Sequence, residues 1–240
     1  MDNHPRNIEG VTPSQPYFHR PQIKICGLTQ IDEAMTCASL GADAIGFVFY
    51  PASPRAVTAD EARDISMALP VSVCRVGVFV DEDADTILQT VATARLQAVQ
   101  LHGMESPELV EQIAAEGVLV IKALFSHREP IFKDAANFPA AAFLVECGEG
   151  PLPGGNARAW DFSLLKNFRE TFPLVLAGGL SIANIGEAIH QSRPDAVDIS
   201  SGVEREPGKK DLVKVKQFIT AVRTVRMATS NRRIFHGNDG

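Results

Sequence analysis

Short apolar runs alternate with helical segments along most of the 240-residue chain, and this alternation constrains the fold more than any other feature. Apolar runs that suit buried strands, separated by helices, are typical of a parallel sheet covered by helices. Eight such runs are present, spaced 20–33 residues apart. They begin near Ile23, Ala44, Cys74, Ala98, Val118, Ala141, Leu174 and Ala196.

Eight strand-then-helix units favour the α/β class and a single (βα)8 TIM barrel. An open doubly wound sheet uses the same units and is the structural alternative, although eight parallel strands are less common there. In both architectures the ligand lies at the carboxyl ends of the strands. We therefore predict a flexible N-terminal extension over residues 1-21, a (βα)8-barrel catalytic domain over 22-226 and a flexible C-terminal tail over 227-240.

Composition excludes several classes of function. The formal net charge of -6 argues against nucleic-acid binding, which normally requires a basic excess. No apolar run approaches the ~20 residues that span a bilayer, and no secretory signal is present, so we expect a cytoplasmic protein with no membrane partner. The four cysteines form no C-x-x-C pair and no zinc spacing with histidine. We expect free thiols and no metal.

A cysteine ends the first predicted strand. Cys26 is followed by Gly27, and Lys24 lies two residues earlier, on the same face of the strand. A cation beside a thiol favours the reactive thiolate, which makes Cys26 a candidate functional residue. The alternative is a small buried side chain. Asp198 lies inside the last strand, where a buried carboxylate requires an ion-pair partner or a function. Lys24 is one candidate partner.

Three further polar residues follow strands. Arg55 ends a loop stiffened by two prolines after strand 2, where a guanidinium suits a planar carboxylate. His102 closes strand 4 and either contacts a ligand or satisfies a loop. Glu146 comes directly after the apolar residues of strand 6, a position that suits a general acid. The structural alternatives are a surface arginine and a loop carboxylate paired with a lysine.

Small residues follow strands 7 and 8. Gly178 and Gly179 come after strand 7, and Ser200, Ser201 and Gly202 come after strand 8. These two loops of a barrel commonly bind phosphate through backbone N–H groups and a helix N-terminus. Small side chains let the phosphate oxygens approach the backbone, so we predict an anion site between the two loops.

Taken in order, these motifs resemble the phosphoribosylanthranilate isomerase family. The resemblance extends from about Ile23 to Val225. It rests on KICGLT at 24–29, GFVFYP at 46–51 with SPR at 53–55, VGVFV at 76–80, QLHG at 100–103, LAGGL at 176–180, and VDISSGVE at 197–204 with PGKKD at 207–211.

The resemblance implies a (βα)8 barrel and an Amadori rearrangement of N-(5′-phosphoribosyl)anthranilate that uses neither metal nor organic cofactor. A general acid protonates the furanose ring oxygen, and a general base then removes the C2′ proton. The family's base matches Cys26, its carboxylate-binding arginine matches Arg55, and its supporting aspartate matches Asp198. Its phosphate loops match residues 178–179 and 200–202. The partner is then this small-molecule phosphosugar–anthranilate substrate, and we expect a monomer or weak homodimer.

One departure from the family concerns the general acid. The family usually carries Leu-Leu-Asp at the end of strand 6, whereas this chain has Leu144, Val145 and Glu146. Two rival functions therefore stay open. One is a non-catalytic phosphate-ligand-binding paralogue, and the other is a related phosphosugar isomerase. The latter chemistry pairs two aspartates, and Cys26 in the base position speaks against it.

Overall fold

The computed structural model describes residues 19–148, 160–227 and 232–236. Eight parallel strands close into a barrel in chain order. They are β1 (Gln22–Cys26), β2 (Ala44–Val48), β3 (Cys74–Phe79), β4 (Ala98–Leu101), β5 (Leu119–Phe125), β6 (Ala142–Glu146), β7 (Leu174–Leu176) and β8 (Ala196–Ile199). Because β1 pairs in parallel with both β2 and β8, the predicted barrel is confirmed and the open sheet is excluded.

Helices follow the strands and cover the outside of the barrel. The α-helices are α1 (Ile31–Ser39), α2 (Ala59–Ala68), α3 (Ala84–Ala94), α4 (Pro107–Ala115), α5 (Phe168–Thr171), α6 (Ile185–Ser192) and α7 (Leu212–Thr224). A 3-10 helix, Phe132–Asn137, takes the place of a full helix after β5. After β8 a 3-10 turn, Ser201–Val203, leads into a short hairpin of β9 (Glu204–Glu206) and β10 (Lys209–Lys210). Within the described parts of the chain, no helix has both the length and the apolar character needed to cross a membrane.

Local sequence signals explain where several helices begin. The Thr58 side chain accepts a hydrogen bond from the Glu61 backbone, and the Glu61 carboxylate accepts one from the Thr58 backbone, which completes a capping box. The Ser106 hydroxyl caps α4 in a similar way, with Pro107 at the first helical position. Both helices therefore begin at a side chain that caps the first turn.

Side chains on each strand alternate between the barrel interior and the layer under the helices. On β1, Ile23 and Ile25 pack into the outer apolar layer, whereas Lys24 reaches across the interior to Gln100 of β4. The lower interior is filled by apolar side chains, many of them small. Polar side chains are therefore concentrated towards the carboxyl-terminal mouth of the barrel, where the strands' loops begin.

The C-terminal segment differs from its prediction. Residues 232–236 do not extend away from the domain, because Ile234 and Phe235 are buried with the interior cluster. Their backbone N–H groups donate to the Gln22 side-chain oxygen at 2.7 and 2.8 Å, and the Gln22 amide donates to the Phe235 carbonyl at 2.7 Å. The polar stretch before Ile234 suggested a solvated tail, but the apolar pair covers the bottom of the barrel.

The boundary at the other end of the domain also shifts slightly. His19, assigned to the predicted extension, forms an antiparallel bridge with Met227. The remainder of both predicted terminal segments, residues 1–18, 228–231 and 237–240, lies outside the described residues. The structured part of the chain is thus wider than 22–226 on both sides.

We expect Phe235→Ala to lower the free energy of unfolding by about 3–5 kcal/mol, as the loss of a large buried aromatic side chain does. Phe235 is 1% exposed and contacts the interior cluster. Urea denaturation followed by circular dichroism measures the change. Arg233→Ala is the matched control, because Arg233 is exposed two residues earlier. Equal unfolding midpoints for the two variants would contradict the packed position of this segment.

Candidate active site

One cavity opens at the carboxyl ends of the strands. It holds about 820 Å³ of space not filled by protein and is open to solvent on one side. All ten residues singled out from the sequence line it: Cys26, Arg55, His102, Glu146, Gly178, Gly179, Asp198, Ser200, Ser201 and Gly202. The other lining residues, which were not among the predicted site residues, are Val48, Tyr50, Ser53, Val78, Val80, Gln100, Ala177, Leu180 and Ile199.

Cys26 lies at the last position of β1, with its side chain at the floor of the cavity. Gly46 on the neighbouring strand makes room for it, since a Cβ there would come within 2.7 Å of the thiol sulfur. Burial raises the pKa of the Cys26 thiol, and the Lys24 ammonium offsets only part of that rise. Lys24 therefore favours the thiolate, as the sequence suggested, but burial outweighs the cation and the net shift of the Cys26 pKa is upward.

Lys24 is fully buried beneath the cavity and has the partner that the sequence suggested. Its ammonium donates to Asp198 Oδ1 and to Gln100 Oε1, each at 3.0 Å. Burial by itself lowers the pKa of Lys24, but the Asp198 carboxylate opposes this effect, and the net shift is to a value above the ordinary one. Asp198 thus compensates a buried cation and lines the cavity at the same time.

Glu146 and His102 face each other across the mouth. His102 Nε2 lies 3.3 Å from Glu146 Oε1, and both side chains are nearly buried. Gln100 Nε2 lies 2.8 Å from the other ring nitrogen of His102, Nδ1. Glu146 therefore points into the cavity rather than outward onto a surface lysine. Sequence reasoning missed Gln100, although it stands two residues before His102 and shares its face of the strand.

Arg55 is held by a residue that the sequence analysis did not single out. Its Nε and Nη2 donate to the two carboxylate oxygens of Glu204, at 2.8 and 2.6 Å. Glu204 also accepts from Lys210 Nζ at 2.7 Å. Burial raises the pKa of Glu204, but its hydrogen bonds to Arg55 and Lys210 lower it more, so the carboxylate stays ionised. One edge of the guanidinium is thereby fixed.

The two small-residue loops meet at one side of the cavity. A Cβ on Gly178 would lie 2.9 Å from the Glu146 Cβ and 3.0 Å from the Cys147 nitrogen, so the loop after β7 packs tightly on the end of β6. On the facing loop, a Cβ on Gly202 would collide with the Leu180 carbonyl. Among the described residues, no group accepts a hydrogen bond from the backbone N–H of Gly178 or Gly179.

The arrangement places two groups that can exchange protons beside a cation and two small-residue loops. A thiol and a carboxyl group line the same cavity, with a guanidinium on one side and small-residue loops on another. In the part of the chain that the structure describes, no three His, Cys, Asp or Glu side chains are grouped to hold a metal ion.

Comparison with known proteins agrees with this geometry. A family model described as N-(5′-phosphoribosyl)anthranilate (PRA) isomerase matches residues 23–221. The N-(5′-phosphoribosyl)anthranilate isomerase of Desulfatibacillum aliphaticivorans is 47% identical over 214 residues, which covers 89% of this chain and 98% of that relative. The chain belongs to the N-(5′-phosphoribosyl)anthranilate isomerase family. The family resemblance read from the sequence is confirmed, and the chain is thus an isomerase.

Two solved structures of the family superpose on the barrel. One is a monomeric form of the dimeric isomerase from Thermotoga maritima. The other is an isomerase in complex with reduced 1-(o-carboxyphenylamino)-1-deoxyribulose 5-phosphate. Each is 42% identical to this chain, has a TM-score of 0.76 and aligns over 85% of this chain and 100% of its own length. The barrel is therefore shared with solved enzymes of this family.

Proposed function

We propose that the chain catalyses the Amadori rearrangement of N-(5′-phosphoribosyl)anthranilate to 1-(2-carboxyphenylamino)-1-deoxyribulose 5-phosphate, a step of tryptophan biosynthesis. The observation that carries the proposal is that all ten residues singled out from the sequence line one cavity. The family name of the relatives supports the substrate, and one relative binds a reduced form of the product. No observation favours either rival function.

The two ends of the substrate match the two binding regions. The phosphate lies between residues 178–179 and 200–202. Within the described ranges the backbone N–H groups of Gly178 and Gly179 have no protein acceptor, which supports anion binding. The anthranilate carboxylate lies against Arg55. Because Glu204 occupies the Nε edge of that guanidinium, the other edge, with Nη1, is the one that a planar carboxylate meets. The reacting sugar carbons then lie between these anchors.

Cys26 and Glu146 carry out the proton transfers. Glu146, in its protonated form, gives its proton to the furanose ring oxygen, and the ring opens to an imine between C1′ and the anthranilate nitrogen. The Cys26 thiolate then removes the C2′ proton, which yields an enolamine that tautomerises to the ketone. The rearrangement moves protons within one molecule and consumes no external oxidant or reductant. An acid and a base of the chain are therefore sufficient.

Turnover by the purified protein tests the function, and Ser201→Asp tests the phosphate site. We expect Ser201→Asp to raise KM at least about 10-fold, because like charges close together cost more than 1.4 kcal/mol where screening by water is weak. Substrate decay and product fluorescence measure kcat and KM. Ser163→Asp is the matched control, because Ser163 is exposed and does not line the cavity.

Three outcomes distinguish the proposed isomerase from the phosphate-binding paralogue and test the phosphate site. Turnover with a raised KM only in Ser201→Asp supports the proposal. Binding of substrate by the unmodified protein without turnover would favour the phosphate-binding paralogue. Equal KM values for Ser201→Asp and Ser163→Asp would show that the phosphate does not bind between these loops.

We further propose a cytoplasmic protein that is a monomer or weak homodimer, with residues 22–226 as the catalytic barrel. The relative from Thermotoga maritima is described as dimeric, so a homodimer has a precedent in the family. Sedimentation velocity over a range of protein concentrations distinguishes the two states.

A further inference from the structure

Gln100 is buried between two groups of opposite hydrogen-bonding character. It is 2% exposed, on β4, and its side-chain amide spans the interior between Lys24 and His102. A lysine ammonium can only donate hydrogen bonds. The amide atom 3.0 Å from Lys24 Nζ is therefore the oxygen, and the NH2 group is the atom 2.8 Å from His102 Nδ1. The buried cation thus fixes which way the amide points.

The orientation of Gln100 determines the tautomer of His102. Because the Gln100 NH2 group donates to Nδ1, that ring nitrogen must offer its lone pair and carries no hydrogen. A neutral imidazole then carries its hydrogen on Nε2. Nε2 lies 3.3 Å from Glu146 Oε1, so His102 is the donor in that contact. The edge of the ring also packs on Phe125, with centroids 5.6 Å apart, which holds its plane.

We propose that Gln100 is a positioning residue: held by Lys24, it fixes the Nε2–H tautomer of His102 and so presents a hydrogen-bond donor to Glu146. The inference rests on the proposed function, in which Glu146 is the general acid. All hydrogen bonds in the series run in one direction, from Lys24 through Gln100 and His102 to Glu146.

This direction has a chemical consequence for the acid step. When Glu146 releases its proton to the ring oxygen, it becomes a carboxylate that can only accept hydrogen bonds. The Nε2–H of His102 then stabilises the new charge, and a donor to a charged group is stronger than one to a neutral group. The other tautomer would turn a lone pair towards that carboxylate and oppose the step.

Gln100→Glu tests the proposal with almost no change in size. A carboxylate accepts from both neighbours, so His102 must place its hydrogen on Nδ1 to donate to it. We expect the ¹⁵N spectrum of the ring to show this exchange of tautomer, and kcat to fall about 10- to 100-fold, the range for a lost hydrogen bond to a charged group. KM changes little, since the phosphate and carboxylate anchors are elsewhere.

Two comparisons isolate the route through His102. Gln97→Glu, on the loop leading into the same strand, is the matched control, because among the described residues the Gln97 amide bonds to the Arg75 and Arg95 backbone alone. In a His102→Phe background, Gln100→Glu should have no further effect on kcat, since the ring nitrogens are gone. An equal loss in that background would show that the new carboxylate acts on Cys26 or Lys24 instead.

The result can overturn the inference without touching the proposed function. An unchanged tautomer in Gln100→Glu, or an unchanged kcat, contradicts the positioning role. Absence of turnover in the unmodified protein contradicts the proposed function, whereas the tautomer is read from the spectrum of the free protein without any substrate.

Discussion

Cys26→Ala is expected to lower kcat by about 10²- to 10⁴-fold, the usual contribution of a positioned general base. The thiol is at the floor of the cavity, at the end of β1, and alanine there retains the fold but cannot accept the C2′ proton. KM should change much less, because the binding loops and Arg55 are untouched. Steady-state kinetics with purified protein separates the two constants.

A second buried cysteine provides the control for this experiment. Cys37 lies in α1, away from the cavity, and burial raises its pKa to about 12. Cys37→Ala should retain full turnover. Because burial also raises the pKa of Cys26, the thiolate fraction of the free protein grows as the pH rises, so kcat/KM should climb from neutral towards alkaline pH. Near-normal activity of Cys26→Ala would show that the thiol only packs against its neighbours and is not the base.

Glu146→Gln is expected to lower kcat by at least about 10²-fold, because an amide cannot supply the proton that opens the sugar ring. The change retains the size of the side chain and leaves an oxygen towards His102. Glu146→Asp, in contrast, should retain measurable activity, since the acid survives and only its reach is shortened by one carbon–carbon bond of about 1.5 Å. The same kinetic assay compares the three proteins.

Glu111 offers a matched surface control for the acid. It is exposed on α4, so Glu111→Gln removes an equivalent charge at no functional position. If Glu146→Gln turned over at the unmodified rate, the acid would have to be another group, and Asp198 would be the next candidate. Asp198 is less suited to the task, because its Oδ1 already accepts a hydrogen bond from the buried Lys24 ammonium.

Sequence reasoning succeeded where the physical signal was local. The strands are continuous apolar runs, and the start of α2 depends on Thr58 and Glu61, three residues apart. The ends of the strands could be anticipated because a parallel barrel brings them to one face. The site residues at those ends were therefore found together, even though the cavity draws on strands from both halves of the chain.

The missed features depend on closure of the barrel. Arg55 and Glu204 are separated by 149 residues, and no local sequence pattern predicts their ion pair. Lys24 and Gln100 meet only because β1 and β4 face each other across the interior. The sequence also reveals the cation that favours the Cys26 thiolate, but not the extent of burial that raises the pKa of the thiol.

The segment that closes the bottom of the barrel bears on the order in which the protein folds. Gln22 begins the first strand, and its bonds to Ile234 and Phe235 span more than 210 residues. Contacts of such large sequence separation form late and slowly, because a long loop must close before they add stability. During synthesis the first strand emerges long before its last partner does. The complete set of contacts around β1 therefore exists only after nearly the whole chain has left the ribosome.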